Sequence, residues 1–196
     1  LQTLQQMLFL QDQLTWCEID DQPRFAWRGL LLDVARHFLS ITTLRRTLDC
    51  MAAAKLNVLH LHLSDDQAFR FCSDRYPRLA SDKAYSADAL RELVAYANAL
   101  GIRLLPELDM PGHVNSWLLA YPEWGSGPVQ ETDRFGVHSA CLNPVDEQVY
   151  VAIGHLLEEL TDVFPDPYLH IGGDHDDEKT HDQRRRPMPA TTHAST

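Results

Sequence analysis

The chain has 196 residues, 44% of them hydrophobic, and a formal net charge of −11. This length and apolar fraction are typical of one globular domain with its own core and exclude a wholly disordered chain. The acidic excess argues against nucleic acid or an anionic membrane as the main partner, because both attract basic surfaces. No stretch reaches the roughly 18 consecutive apolar residues of a membrane span.

Four apolar runs predict the strands of a parallel β-sheet. They are rich in leucine or β-branched residues, and helical patterns separate them, as in βα units. The runs cover residues 29–35, 56–63, 102–108 and 168–173. The sequence therefore predicts an α/β fold.

Three helices are predicted between these strands. The first follows the first strand, with Thr42 or Thr43 as its N-cap. The second begins after Ser86, a serine immediately before an apolar stripe of helical spacing. The third is predicted to open at Asn143-Pro144, because proline suits the first helical position.

Each predicted strand ends in residues that titrate or bind polar groups. In parallel α/β folds the functional site lies at the carboxyl ends of the strands, where separate segments meet. We therefore expect one shared active site at this edge. Its candidate residues, strand by strand, are Asp33, Arg36 and His37; His60, His62, Asp65 and Asp66; Glu107, Asp109 and His113; and His170, Asp174 and His175.

Two kinds of chemistry and one structural role fit these residues. Clustered carboxylates with an arginine and imidazoles suit acid/base catalysis on a neutral polar substrate. His60 and His62 share one strand face, which also suits a metal-dependent hydrolase. Its further ligands would come from His113, His170 and Asp174. Alternatively, His60 and His62 are core histidines hydrogen-bonded to neighbouring strand ends.

Three segments together resemble the catalytic domain of the β-N-acetylhexosaminidases of glycoside hydrolase family 20. They are PRFAWRGLLLDVARHFLSITTLRRTLDCMAAAKLNVLHLHLSDDQAFR, YSADALRELVAYANALGIRLLPELDMPGH and YLHIGGD, in that order. The resemblance implies a (β/α)8 TIM barrel that removes terminal non-reducing N-acetyl-β-D-hexosamine, GlcNAc or GalNAc, from glycans and glycoconjugates. It implies no metal ion and no other cofactor.

The resemblance also implies roles for individual residues. In this family the substrate's own 2-acetamido oxygen attacks the anomeric carbon, so the enzyme supplies no nucleophile. Asp174 matches the aspartate that orients the acetamido group, and Arg36 matches the arginine that binds the ring hydroxyls. Asp65 and His113 match a supporting pair that tunes the proton affinity of the acid. His175 stands where the family carries its glutamic acid proton donor.

The resemblance stops at residue 174, which has consequences for activity. Residues 175–196 are rich in proline, threonine and charge and are predicted to be disordered. Only four of the eight strands of such a barrel are found in the sequence, so we expect a truncated barrel without its C-terminal half. With His175 at the acid position we expect little activity, because an imidazolium opposes the positive charge that builds on the sugar. A catalytically dead remnant or glycan-binding fragment is the alternative, and a metal-dependent hydrolase is less favoured.

Domain boundaries and location follow from the same resemblance. Residues 1–22 are interpreted as a linker or the end of a preceding small α/β domain, and residues 23–174 as the N-terminal half of the barrel. The chain begins with Leu1 and without a leader, so we expect it to start inside a longer protein. The family's substrates favour a secreted, periplasmic or lysosome-like location. The sequence does not indicate an oligomeric state.

Overall fold

The computed structural model describes residues 2–10, 16–127, 129–136 and 138–173. Asp174, His175 and the remainder of the predicted tail lie outside the described residues. One parallel sheet has the strand order β1-β2-β3-β4. Its strands are β1 (Gly29–Asp33), β2 (Val58–His62), β3 (Arg103–Met110) and β4 (His170–Gly172). The predicted α/β class and parallel strands are confirmed.

Helices connect consecutive strands, as βα units require. Neighbouring helices contact each other, α2 with α3 and α3 with α5. Two short 3-10 helices, at residues 77–79 and 122–124, complete the connections. Among the described helices, none combines the length and apolar character needed to cross a membrane. The helices are α1 (Gln2–Leu10), α2 (Ile41–Ala53), α3 (Ala87–Ala99), α4 (Asn115–Ala120) and α5 (Glu147–Val163).

The helix starts follow from capping side chains, and one prediction is wrong. Ser40 caps α2, because its Oγ accepts a hydrogen bond of 3.2 Å from the backbone N–H of Thr43. The predicted caps Thr42 and Thr43 instead lie inside the first turn. Ser86 caps α3 as predicted, and its Oγ accepts the N–H of Ala89 at 3.2 Å.

The start of α5 also differs from the prediction. The helix begins at Glu147, where the Asp146 carboxylate accepts the N–H of Gln148 at 2.9 Å. Asn143 and the proline after it form a turn ahead of the helix, in which Asn143 Oδ1 accepts the N–H of Val145. Asp146 is favoured as the N-cap over Asn143 because its negative charge also suits the positive end of the helix dipole.

The two faces of the sheet differ in character. Side chains alternate between the faces of a strand. Leu59 and Leu61 of β2 are fully buried in the apolar core, whereas His60 and His62 face the opposite side. In the strand register, His62 pairs with Glu107, and Glu107 pairs with His170. The chemistry of the chain is therefore concentrated on one face and at one edge of the sheet.

Candidate active site

Arg36 joins the ends of β1 and β2. Its Nη1 lies 2.8 Å from Asp33 Oδ2, and its Nη2 lies 2.7 Å from Asp65 Oδ2. Burial lowers the pKa of the guanidinium, but the hydrogen bond that it donates to Asp33 and the charge of Asp65 outweigh burial and raise the pKa. The side chain keeps 25% of its surface exposed. Arg36 is thus a fixed cation with part of its surface open above the sheet.

Asp65 is a fully buried carboxylate with several donors around it. Its Oδ1 accepts the backbone N–H of Asp66 at 2.6 Å, and its Oδ2 lies 2.8 Å from His62 Nε2. Burial alone would raise the pKa of Asp65, yet the hydrogen bonds from His62 and Asp66 and the charge of Arg36 lower it. Asp65 is therefore ionised at neutral pH and acts as an acceptor.

His62 bridges two carboxylates inside the site. Its Nδ1 lies 2.8 Å from Glu107 Oε2, and its Nε2 lies 2.8 Å from Asp65 Oδ2. Burial lowers its pKa, but the hydrogen bonds to Asp65 and Glu107 raise it to about 10. Both ring nitrogens therefore carry protons and neither has a lone pair for a metal. His62 fits the interpretation of a core histidine bonded to neighbouring strand ends.

The Glu107 carboxylate contacts three imidazoles on one face of the sheet. Besides His62, His60 Nε2 lies 2.8 Å from Oε2 and His170 Nδ1 lies 2.9 Å from Oε1. Burial raises the pKa of Glu107, but the close approach of His60 and the hydrogen bond and charge of His62 lower it overall. Sequence reasoning placed Glu107 at a strand end without a role. The available signal was a carboxylate inside an otherwise apolar buried strand, since a buried charge requires partners.

His113 reaches the site from the turn after β3. It follows the cis peptide bond Met110-Pro111 and has a φ of 56°, a left-handed conformation that is uncommon outside glycine. Its Nδ1 lies 3.1 Å from Asp66 Oδ2 and 3.3 Å from Asp65 Oδ1. Burial lowers the pKa of His113, but these two carboxylates raise it. The hydrogen bond goes to Asp66, a carboxylate to which sequence reasoning assigned no role.

Two glycines shape the end of β4. Gly172 has a φ of 69°, and a Cβ placed on it would lie 1.6 Å from Asp109 Oδ1. A side chain is therefore excluded both by backbone conformation and by the approach of Asp109. Gly173 also has a positive φ, and its N–H donates to the carbonyl of Met110 at 3.1 Å. Asp174 and His175 come next in the sequence and lie outside the described residues.

The loop that contains Arg134 and Phe135, between the second 3-10 helix and α5, lies near the ends of β1 and β2. The Phe135 ring meets His37 edge-on at a centroid distance of 5.6 Å. Gln67 Nε2 donates to the carbonyl of Arg134 at 2.7 Å. The loop therefore contacts the segments that follow β1 and β2. No residue of this loop was among the predicted site residues, because it matches no strand end.

The predicted metal-hydrolase ligands do not share one cluster among the described residues. His60 and His170 turn toward Glu107, whereas His113 turns toward the two aspartates after β2. His62 lies between them, with both nitrogens bonded to carboxylates. Arg36, Asp65 and the nearby His113 do come together, at the carboxyl edge of the sheet.

Comparison with known proteins adds the family to this geometry. Residues 25–189 match the family model described as "Glycosyl hydrolase family 20, catalytic domain". Beta-hexosaminidase A of Caenorhabditis elegans is 40% identical over 172 residues, which cover 83% of this chain and 30% of the relative. The beta-hexosaminidase subunit beta of Felis catus is 35% identical over 184 residues, which cover 89% of this chain and 34% of the relative.

Solved structures agree with the sequence relatives. The Flavobacterium johnsoniae chitobiase superposes with a TM-score of 0.78 at 42% identity, covering 82% of this chain and 25% of the other. A mutant Streptomyces plicatus beta-hexosaminidase in complex with product, GlcNAc, gives a TM-score of 0.74 at 36% identity, covering 78% and 33%. The chain spans about a third of the length of the curated relatives it matches. The chain belongs to glycosyl hydrolase family 20, and its matched residues are those of the catalytic domain.

Proposed function

We propose that this chain acts as an exo-β-N-acetylhexosaminidase on glycans or glycoconjugates that end in N-acetyl-β-D-hexosamine. Family membership and relatives named as beta-hexosaminidases support the activity. The GlcNAc product in the Streptomyces plicatus relative supports the sugar class. The observation that carries the proposal is Arg36, held by Asp33 and Asp65 at the carboxyl edge of the sheet.

Arg36 is the proposed anchor for the terminal sugar. Two carboxylates fix the guanidinium, so little conformational freedom is lost when a ligand binds. A quarter of the side-chain surface is exposed, and the planar donor fork of a guanidinium suits sugar hydroxyls. Arg36 would therefore hold a neutral ligand at the carboxyl ends of the strands.

The proposed reaction is substrate-assisted and retains anomeric configuration. The 2-acetamido oxygen forms a bond to the anomeric carbon while the bond to the leaving oxygen breaks, and a proton reaches that oxygen from an acid. Asp174 would orient the acetamido N–H and stabilise the positive intermediate. Water then opens the intermediate. His175 occupies the acid position, and Asp65 with His113 would hold and tune the group that stands there.

We also propose the larger architecture that this family implies. The four parallel strands are taken as the first four of an eight-stranded barrel, within residues 23–174. Residues 1–22 are taken as the end of a preceding small domain or a linker. Helix α1 contacts the barrel segment at Gln6, whose Nε2 donates to the carbonyl of Ala53 at 2.8 Å.

Hydrolysis of an aryl N-acetyl-β-glucosaminide tests the activity. The chain should release little aryl alcohol, and His175→Glu should release more, because a carboxylic acid becomes the proton donor. The aryl β-glucoside, which has no acetamido group, should not be hydrolysed by either protein. Equal hydrolysis of the two substrates would contradict the substrate-assisted mechanism, and faster turnover before than after His175→Glu would contradict the role of that position.

A glycan-binding protein without turnover is the second candidate, and the histidine at position 175 favours it. Arg36 and its carboxylates would then hold the terminal sugar without bond cleavage. Measurable GlcNAc binding by a chain that is inactive both before and after His175→Glu would support this alternative.

A further inference from the structure

Glu107 has two nitrogen neighbours whose contacts are not ordinary hydrogen bonds. His60 Nε2 lies 2.8 Å from Oε2 and His170 Nδ1 lies 2.9 Å from Oε1. These residues come from three adjacent parallel strands, β2, β3 and β4. The imidazole rings of the two histidines also contact each other, with their centroids 4.9 Å apart. His62 joins this cluster to Asp65, because its two ring nitrogens lie 2.8 Å from Glu107 Oε2 and 2.8 Å from Asp65 Oδ2.

His170 presents a lone pair to the carboxylate. Its Nδ1 already accepts the backbone N–H of Gly172 at 3.0 Å, so this nitrogen carries no proton in that arrangement. A deprotonated imidazole nitrogen and a carboxylate oxygen are both acceptors, and at 2.9 Å they repel each other unless a cation lies between them. A metal ion on Nδ1 would leave the exposed Gly172 N–H to water.

His60 offers a second nitrogen without a hydrogen-bonding partner. Its Nε2 is buried and makes no hydrogen bond with acceptable geometry among the described residues. The short distance to Glu107 Oε2 is therefore an approach at the wrong angle for N–H donation. Unsatisfied buried ring nitrogens are uncommon in folded proteins and call for an explanation.

We propose that His60, Glu107 and His170 form a binding site for a divalent transition-metal ion of the Zn²⁺ class. One ligand atom from each residue lies within 4.8 Å of the others. With metal–ligand bonds of about 2.0–2.2 Å, tetrahedral ligand atoms are about 3.3 Å apart. The side chains therefore need to close their ligand-atom separations by at most about 1.5 Å, which rotamer adjustments can supply. Two imidazoles and a carboxylate are ligands of the type that such ions select.

The surroundings fit a site with an open coordination position. The His170 side chain is 47% exposed, which gives the ion an entry path and leaves room for a water ligand. From the buried side, His62 donates to Glu107 Oε2 and holds the carboxylate in place. The two other metal-type clusters are weaker candidates, because His62 and His113 already make hydrogen bonds to carboxylates, whereas the contacts of His60 and His170 with Glu107 are not hydrogen bonds.

This site goes beyond the proposed glycosidase activity, which assigns no role to a metal ion. The family chemistry uses no metal ion, and the three ligands are not among the residues assigned to sugar binding or proton transfer. Zinc binding and hydrolysis can therefore succeed or fail independently.

Titration of the metal-free chain with Zn²⁺ by calorimetry, and with Co²⁺ by visible absorption, tests the site. We expect one high-affinity ion per chain and d–d bands typical of nitrogen and oxygen ligands. His60→Gln and His170→Gln should each weaken binding at least about tenfold. A triple variant of the histidines beyond residue 173, His175→Gln with His181→Gln and His193→Gln, should retain it.

Three results would overturn the proposal: no binding by the metal-free chain, equal binding after both His60→Gln and His170→Gln, or loss of the ion in the triple variant. The last result would identify an adventitious ion on the other histidines. Because His60→Gln could alter folding, circular dichroism checks each variant, and the half-exposed His170 provides the safer substitution.

Discussion

The five residues of β2 alternate between two faces of the sheet, and the two faces are stabilised in different ways. Leu59 and Leu61 are fully buried against the helices and need only shape and apolar contact. His60 and His62 alternate with them and lie among carboxylates. The apolar face tolerates any residue of suitable volume, whereas the polar face requires each partner, because a buried charge without one is strongly destabilising.

The largest effect is expected on the polar face. His62→Ala leaves Glu107 and Asp65 without their shared imidazolium, and we expect the free energy of unfolding to fall by about 3–5 kcal/mol. Urea denaturation monitored by circular dichroism measures it. His37→Ala, at an exposed histidine near the same edge, is the control and should change stability by less than about 0.5 kcal/mol. Equal effects of the two substitutions would remove the distinction between the faces.

On the apolar face, Leu61→Ala creates a cavity beneath the helices. We expect a loss of about 2–5 kcal/mol in the free energy of unfolding, with no change in its dependence on pH. The matched control is Leu119→Ala, where the side chain is 46% exposed and the expected change is below about 0.5 kcal/mol. If Leu61→Ala proved as mild as its control, Leu61 would not belong to the core.

Acid titration should distinguish the faces by the pH dependence of the free energy of unfolding. The lowered pKa of Asp65 means that its stabilisation is present above the unfolded-state pKa of about 3.9 and is lost as pH falls through the folded-state value. Asp65→Asn should therefore be less stable than the original chain at neutral pH, and the two curves should converge below about pH 4. Urea midpoints across this pH range measure the convergence. A difference independent of pH would contradict the ionised state of Asp65.

The smallest effect concerns the helices that cover the apolar face. Ser40→Ala removes the N-cap of α2, and we expect a loss of about 1 kcal/mol in the free energy of unfolding. Thr42→Ala, two residues away and without a capping role, should change it by less than about 0.5 kcal/mol. Thermal denaturation of both variants makes the comparison, and the reverse order would restore the sequence-based prediction of a threonine cap.

The strands and the cap of α3 could be predicted because their signals are local. Apolar runs marked all four strands, and Ser86 stands directly before an apolar helical stripe. The cap of α2 was missed because serine and threonine crowd that helix start, so several residues carried the same signal. The starting point of α5 was missed because Asn143-Pro144 forms a turn of its own.

The site could be predicted only in part, because its pairings are long-range. The resemblance singled out Arg36, Asp65 and His113, which lie together in the fold. The alternative partner Asp66 and the central position of Glu107 depend on strand register and on the turn at His113. Periodicity determines which face a residue occupies, but it does not specify which side chain on the next strand will meet it.

Arg36 is proposed to anchor an N-acetylhexosamine at the carboxyl edge of this sheet, and a binding measurement tests this role without requiring turnover. GlcNAc is titrated by calorimetry into the chain, into Arg36→Met, and into Arg46→Met, which removes an exposed arginine on α2. We expect GlcNAc binding that Arg36→Met weakens at least about tenfold and Arg46→Met leaves unchanged. Unchanged binding by a folded Arg36→Met variant would contradict it.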